Sequence, residues 1–443
     1  MSLQSYNLNR RFGSRWLWAC SVAASLGGTA YLSAQAPAEH LPAPPAGGNA
    51  PAVAPDTTPV YALCDCIRIA FEKQPALDAA RASLHAKQIN RDSLANTSPF
   101  AGLLVRDLKI RKQQSLRGVS AANALLMQTE CETTYAVTRT YFTAIYARMQ
   151  QDVTTEVVDN LNFYRDLVSR IIKAGSDRDI NQGTLDRLDI YLGLAKAKRV
   201  DAEHGSERAT AALREAMGIS LECSSFQLAD VRLPEPEIIP EKCDIVNLAL
   251  GRRGELVQVL LASQVFRLEI DAQGRHFLRP TAHTFAAATD IHAQSVPPGI
   301  RNGEYRPGAI GPEMPVMLAG KRDTRMRLAE AYSDRADAVV AKTRELISLE
   351  AEDGYLKWLE AHEKVGSSRG AATTARRLAR QTREDANQGA RIKEGEILST
   401  DILSGQATAA YYEAAFQQVL ALAGLERITA GGFNACLSDA PKP

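Results

Sequence analysis

The chain has 443 residues, with 52 Lys and Arg against 51 Asp and Glu and a formal charge of +1 at pH 7. That balance excludes a bulk electrostatic attraction to nucleic acid or anionic lipid, so partners must be read from pattern. Aromatic residues make up only 6%, and Ala, Leu, Arg, Glu and Gln dominate the second half, a composition suited to long helices and predicting a mainly α fold.

In chain order, residues 1–36 have the build of an export signal. Arg10, Arg11 and Arg15 precede an apolar stretch from Trp16 to Leu32 that ends in Ala34-Gln35-Ala36, an A-x-A cleavage pattern. Gly27-Gly28 with Ser21, Ser25 and Thr29 make the stretch a poor membrane span, and Trp18 occupies the place where a lipoprotein signal before Cys20 wants a small residue. Residues 37–60 are rich in Pro, Ala and Gly and cannot bury enough surface to offset their ordering entropy, as in a flexible leader. No later segment has roughly 18 consecutive apolar residues, so insertion into a membrane has to come from strands. Export places the remaining cysteines in an oxidising compartment. Cys64, Cys66, Cys223, Cys243 and Cys436 are disulfide candidates with their connectivity open, whereas Cys131 reads as a thiol within a helix.

A repeat organises the rest. Asp65-Cys66-Ile67-Arg68-Ile69-Ala70-Phe71, followed by Gln74-Pro75-Ala76-Leu77, matches Asp244-Ile245-Val246-Asn247-Leu248-Ala249-Leu250, followed by Arg253-Gly254-Glu255-Leu256, 179 residues later. Each copy opens a short amphipathic helix with an acidic residue, breaks it with Pro or Gly, and starts a longer helix. Tyr141–Ile145 matches Tyr355–Leu359 in the same way, and Gly175 and Gly395 mark the tips where long helices turn back. The expected units are a first repeat over 61–220, a linker over 221–243, a second repeat over 244–433 and a tail over 434–443. On the spacing of the two tip glycines the second repeat carries 41 extra residues, mainly between Leu256 and Tyr355.

Leu185, Leu188, Leu192, Ala195, Ala202, Ala209, Leu213 and Ala216 fall on alternating steps of three and four, as do Val157, Leu161, Tyr164, Val168 and Ile171. These are coiled-coil seams, and they predict an antiparallel helical hairpin in each half. Helices are expected from Ser120 to Lys173 and from Lys321 to Asn387, the first spanning roughly 80 Å. Extended segments are expected over Pro280–Ile291 and Glu304–Leu318 in the second half and over Leu103–Lys112 in the first. Arg106, Lys109, Arg111 and Lys112 make that last segment a poor lipid-facing strand.

The order of helix, Pro or Gly break, helix, extended segment, long helix, Gly tip and return helix resembles the TolC-like outer-membrane efflux family over nearly all of 61–433. The residues that carry the resemblance include Ala62-Leu63, Ile67, Pro75-Ala76-Leu77, Ala174-Gly175, Met217-Gly218, Asp244, Gly320-Lys321-Arg322, Asp401-Ile402-Leu403 and Leu425-Glu426-Arg427. The resemblance implies duplicated coiled-coil hairpins building a periplasmic helical barrel, and four short strands per protomer feeding a trimeric transmembrane β-barrel, full or reduced. It implies an outer-membrane location with a large periplasmic portion, a homotrimer set in the lipid bilayer, and a periplasmic adaptor and inner-membrane pump as partners, with no nucleic acid. Asp401 and Ser404 then fall where the family narrows its periplasmic aperture, with Asn181 as the first-half position. Gly175, Ser176, Gly395 and Glu396 fall at the hairpin tips that meet the adaptor.

No Walker A, H-E-x-x-H, G-x-S-x-G or paired C-x-x-C motif occurs, and His362-Glu363 lacks the second His of a zincin helix. The sequence therefore predicts a passive conduit without cofactor or metal. The alternative is a non-conducting periplasmic scaffold on the same fold.

Overall fold

The computed structural model describes residues 58–97, 105–174, 181–221, 225–276, 280–285, 287–288, 291–292, 308–309, 311–387 and 394–437. The expected export signal, nearly all of the expected leader, Gly175, Ser176 and Cys223 lie outside them. Strand β1 (Val60–Tyr61) leads into α1 (Leu63–Lys73), α2 (Pro75–Ala95), α3 (Leu108–Ala174) and α4 (Gln182–Ala216). After β2 (Gln227–Leu228), which pairs parallel with β1, the series returns as α5 (Lys242–Arg252), α6 (Gly254–Gly274), α7 (Arg322–Asn387) and α8 (Glu394–Ile428). The lengths repeat in order: 11 and 11, 21 and 21, 67 and 66, 35 and 35 residues. The fold is thus one unit built twice, and no described helix is long and apolar enough to cross a membrane.

The two breaks share one construction. Gln74 and Arg253 are extended residues whose N–H groups still bond the Ala70 and Ala249 carbonyls. Pro75 then opens α2 where a helix has no use for an N–H. Gly254 opens α6 for a different reason: a Cβ there would lie 2.6 Å from the Ala124 carbonyl oxygen on α3.

Two apolar cores hold the bundle. One gathers Leu63, Cys66 and Ala70 of α1, Tyr141, Phe142 and Ile145 of α3, Leu213 of α4 and Val419 of α8. The other gathers Ile245 and Ala249 of α5, Val340, Ile347 and Trp358 of α7, and Leu422 and Leu425 of α8. Each large side chain so buried contributes about 1.5–3 kcal/mol. Below them α3 and α4 meet along the narrow seam of Val158, Leu161, Val168, Leu188 and Leu192, where side chains alternate as in a coiled coil. Gly354 lies inside an unbroken α7 and marks a close approach, since a Cβ would sit 2.7 Å from Ile428 Cδ1.

Between α6 and α7 lie β3 (Thr281–His283), β4 (Ala287–Ala288), β5 (Ile291–His292), β6 (Gly308–Ala309), β7 (Glu313–Met314) and β8 (Met317–Ala319). Thr281 faces Ala319, Ala287 faces Met314, and Ile291 faces Ala309. Register slips by one residue after the first pairing and slips back before the third, so these are rungs of one antiparallel hairpin. Pro315 and Pro312 stand beside the two slips, where a strand tolerates a missing N–H.

Both arms double back along the helices they leave. Phe285 donates its N–H to Glu269 of α6 at 3.2 Å and its ring covers Gly118 of α3. On the other arm, Glu313 pairs with Arg335 at 2.9 Å and the Gly311 carbonyl accepts from Arg335 at 3.1 Å, in the fourth turn of α7. Met314 and Leu318 pack with Phe266, Ala329 and Ala336.

The strand expected over Leu103–Lys112 is a correction. Leu103 and Leu104 lie outside the described residues, and from Leu108 the chain is already α3. Ile110, Gln114 and Ser115 are buried at helical spacing, and the charges that looked wrong for a strand are used in the bundle: Arg111 bonds Asp107, Gln114 and Glu269. Twelve residues join α2 to α3 and 47 join α6 to α7, so this connection is 35 residues longer in the second half, and the second half as a whole, 242–428 against 63–216, is 33 residues longer rather than 41. A connection of twelve cannot hold two lipid-crossing strands of about 9–11 residues each. Of the four strands per protomer implied by the resemblance, the described residues between the helices hold one hairpin.

Candidate functional site

The lower end of the α7–α8 hairpin is packed through small residues: Ala372, Ala375 and Ala379 are buried. Asp401, in the second turn of α8, is 7% exposed. It accepts from Arg383 of α7 through Nε at 3.0 Å and Nη2 at 2.7 Å. The Tyr164 hydroxyl of α3 stands beside Asp401. Burial, then Asp401, pushes Tyr164 up to about 12, so its hydroxyl keeps its proton at any physiological pH. Burial alone would lower the Arg383 guanidinium, and the bond to Asp401 more than reverses this. Asp401 is therefore a bridge between the second-half hairpin and the long helix of the first half.

Asp401 and Ser404 share a cavity of about 250 Å³ with Asn160 of α3 and Arg376 and Arg380 of α7. Gly405 brings α8 against α3 there, because a Cβ would lie 2.7 Å from Val157 Cγ2. Arg376 donates to Thr408 at 3.0 Å and to Tyr412 at 3.2 Å. Gly395 and Glu396 lie in the first turn of α8, their side chains outside what is described. Asn181 is not the counterpart of Asp401: it is the N-cap of α4, accepting from the Thr184 N–H at 3.3 Å. Counted from the helix starts, the counterpart is Asp189, which pairs with Arg165 at 2.6 Å on the surface. Both hairpins thus carry a cross-linking Arg–Asp pair, buried only in the second.

Two further polar clusters join the halves. Arg427 of α8 donates to Glu132 of α3 at 2.8 Å and to Glu350 of α7, while Arg253 donates to Glu350 at 2.8 Å and to Glu255 at 2.9 Å. Burial would raise the Glu350 carboxyl, but Arg253 and Arg427 overcome it and hold it below the usual carboxylate range. At the other end Glu269, fully buried, takes Arg111, Gln114 at 2.9 Å and Gln273 at 2.8 Å. Asp107 there pairs with Arg111 at 2.9 Å and His276 at 3.1 Å. Burial opposes its ionisation, yet these partners leave it below its ordinary value.

The disulfides expected of Cys64, Cys66, Cys243 and Cys436 are absent among the described residues: all four are free thiols, and Cys223 lies outside. Cys64 and Cys66 are two apart on a helix and point to different sides. Cys66 is packed in the first core, where burial, then Asp65 and Cys64, push its thiol up to about 12. Among the described residues no group of three His, Cys, Asp or Glu could hold a metal ion.

No family model matches the sequence, and no curated protein is similar to it. Solved structures are. The outer-membrane channel OprN superposes with a TM-score of 0.63 at 16% identity, over 84% of this chain and 90% of that one. The fold is that of the TolC-like outer-membrane channels. The Campylobacter jejuni CmeC outer-membrane channel matches over 90% of this chain and 95% of its own at 12% identity and a TM-score of 0.64. The Neisseria gonorrhoeae MtrE channel in its open state matches over 84% and 89% at 13% identity and a TM-score of 0.61. At these identities the TolC-like architecture is shared while nearly every side chain differs.

Two of the bridge residues escaped the sequence reading. Tyr164 was visible only as a seam position, and Arg383 was singled out by no pattern. A Tyr on a coiled-coil seam is the one signal that pointed there.

Proposed function

We propose that this chain is the outer-membrane channel component of a tripartite efflux or secretion system, a passive conduit from periplasm to exterior. The observation that carries the reading is the superposition on solved outer-membrane channels over 84–90% of this chain and 90–95% of theirs. A homotrimer fits the faces left bare. On α4, Ile190 and Leu194 are both 63% exposed beside the seam already used for α3, and on α2, Ala79, Ala82, Ala86 and Ile89 form a second exposed stripe at coiled-coil spacing. A helix with two apolar seams wants a neighbour on each side. Asp401 and Ser404 are proposed to lie at the periplasmic constriction, and the tips around Gly175, Ser176, Gly395 and Glu396 to meet a periplasmic adaptor that joins the duct to an inner-membrane pump. Energy for transport comes from the pump.

The non-conducting periplasmic scaffold is the second reading, favoured by the short α2–α3 connection and the single hairpin. The two separate in planar lipid bilayers and in cell fractions. Heat-resistant oligomers in the outer-membrane fraction that conduct ions support the conduit, and a soluble periplasmic monomer that never conducts removes it.

A further inference from the structure

Where α1, α3, the α5–α6 corner and the end of α8 meet, they leave a cavity of about 860 Å³, within the range of small-molecule sites, roughly 300–1,000 Å³. Its walls come from one chain, and no residue of α2 or α4, whose bare stripes suit a neighbouring copy, takes part. Ile67 and Phe71 of α1, Ala124 and Met127 of α3, Val257 of α6 and Ala423 of α8 make the walls mainly apolar. Met127 and Val257 are 56% and 38% exposed, so apolar surface faces solvent inside a concave site. The charges around it cancel. Arg68 is held by Asp65 and Glu72, Arg427 by Glu132 and Glu350, and Glu426 accepts the Ala435 N–H. Arg252 and Glu130 have no bonded partner among the described residues, but they are opposite in sign and both lie within reach of the Cys131 thiol. The site thus offers no net charge to an ion. One buried acceptor is left over in its wall. Gln128, 8% exposed, donates through Nε2 to Glu132 at 3.0 Å, which fixes the amide, and its Oε1 has no hydrogen-bond partner. That oxygen lies 3.3 Å from where a Cβ on Gly254 would stand, so no side chain closes over it there. A carbonyl so buried wants a donor.

We infer that this cavity is a binding site for an uncharged, mainly apolar small molecule that carries one N–H or O–H donor. The apolar body fills the space between the helices, and the donor meets Gln128 Oε1. Two of the walls, α1 and α3, belong to the first half and two, α6 and α8, to the second. A molecule bound there spans the joint between the halves and stabilises the bundle by mass action. The site is complete within one chain and stands whether or not the chain conducts.

The test uses thiols already in place. Cys64 and Cys131 line the cavity and are half-buried, whereas Cys243 and Cys436 are exposed and lie outside its lining. The full-length chain, free of detergent, is alkylated with N-ethylmaleimide, and the rate at each thiol is read by mass spectrometry with and without the neutral dye N-phenyl-1-naphthylamine. Saturating dye is expected to slow Cys64 and Cys131 at least fivefold and to leave Cys243 and Cys436 unchanged. Two analogues test the chemistry: 8-anilinonaphthalene-1-sulfonate adds a charge to the same skeleton, and 1-phenoxynaphthalene replaces the N–H by oxygen. Each is expected to need at least fivefold more ligand for the same protection. No protection by the amine, equal protection of all four thiols, or equal potency of either analogue overturns the proposal. A second measurement does not depend on the thiols. The amine is expected to raise the melting temperature of the parent chain but not of Val257→Trp, in which the indole narrows the cavity, and an equal rise in both counts against the site.

Discussion

Removing either partner of the Arg383–Asp401 bridge should have unequal consequences, and the inequality follows from burial. Arg383 has a side chain 41% exposed and Asp401 one 5% exposed. In Asp401→Ala the guanidinium loses two charge-assisted bonds but turns to water, so the loss is discounted to about 1 kcal/mol. In Arg383→Ala the carboxylate stays buried with only the Tyr164 hydroxyl beside it. An uncompensated buried charge costs about 3–5 kcal/mol, and the neighbouring hydroxyl places this one near the lower end. The difference of about 2 kcal/mol is roughly thirtyfold in the equilibrium for opening the hairpin from α3. Hydrogen exchange of the amides of residues 398–408 in the full-length protein reads that opening directly. Protection should fall about thirtyfold further in Arg383→Ala than in Asp401→Ala. Equal losses, or a larger one in Asp401→Ala, would refute the claim that burial of the carboxylate decides the energetics.

Acid should unfold the chain through its paired carboxyls. Asp107 and Glu350 have folded-state values held below their ordinary ones, so the stability they contribute is complete above about pH 5 and is lost as pH falls through those lowered values. Melting temperature should be level from pH 7 to about 5 and decline below about 4, and a Tm that rises on acidification would contradict the assignment. Two glycines should respond with opposite sign. Gly218 has a φ of +74 and a Cβ there would meet the Lys73 carbonyl oxygen at 2.5 Å, so Gly218→Ala should lower stability by at least about 1–2 kcal/mol. Gly193, in exposed α4 with nothing within 4 Å, should gain about 0.5–1 kcal/mol as Ala. Thermal melts of both variants in one buffer check the pair, and a shared sign sinks the reasoning.

Much of the helical frame was legible in the residues. Apolar positions at three and four, a repeated acidic start and a repeated Pro or Gly break report local structure, because helix period and helix ends are set within a few neighbouring residues. So the seams of α3 and α4, the ends of α7 to within one residue, and the doubled order of elements could be read directly. Leu108–Lys112 could not: its charges argue against a strand in lipid, and only Glu269 on α6, 157 or more residues away, makes a buried helix of it. The tip glycines misled for a related reason, since Gly395 belongs to the first turn of α8 and shifted the count of the insertion. Asp401 was found as an acidic residue near a tip, but its neighbours Arg383 and Tyr164 come from two other helices.

The sequence by itself determined a doubled, mainly helical, coiled-coil chain with one long strand-forming insertion. Only the tertiary structure decided that Leu108–Lys112 of the first half is helix, that Asp401 is a bridge, and that the described part of the hairpin lies back on α6 and α7. The physical reason is range: periodicity and caps act within a turn or two, whereas the partner of a buried charge or the side on which a hairpin docks depends on helices brought together from far along the chain.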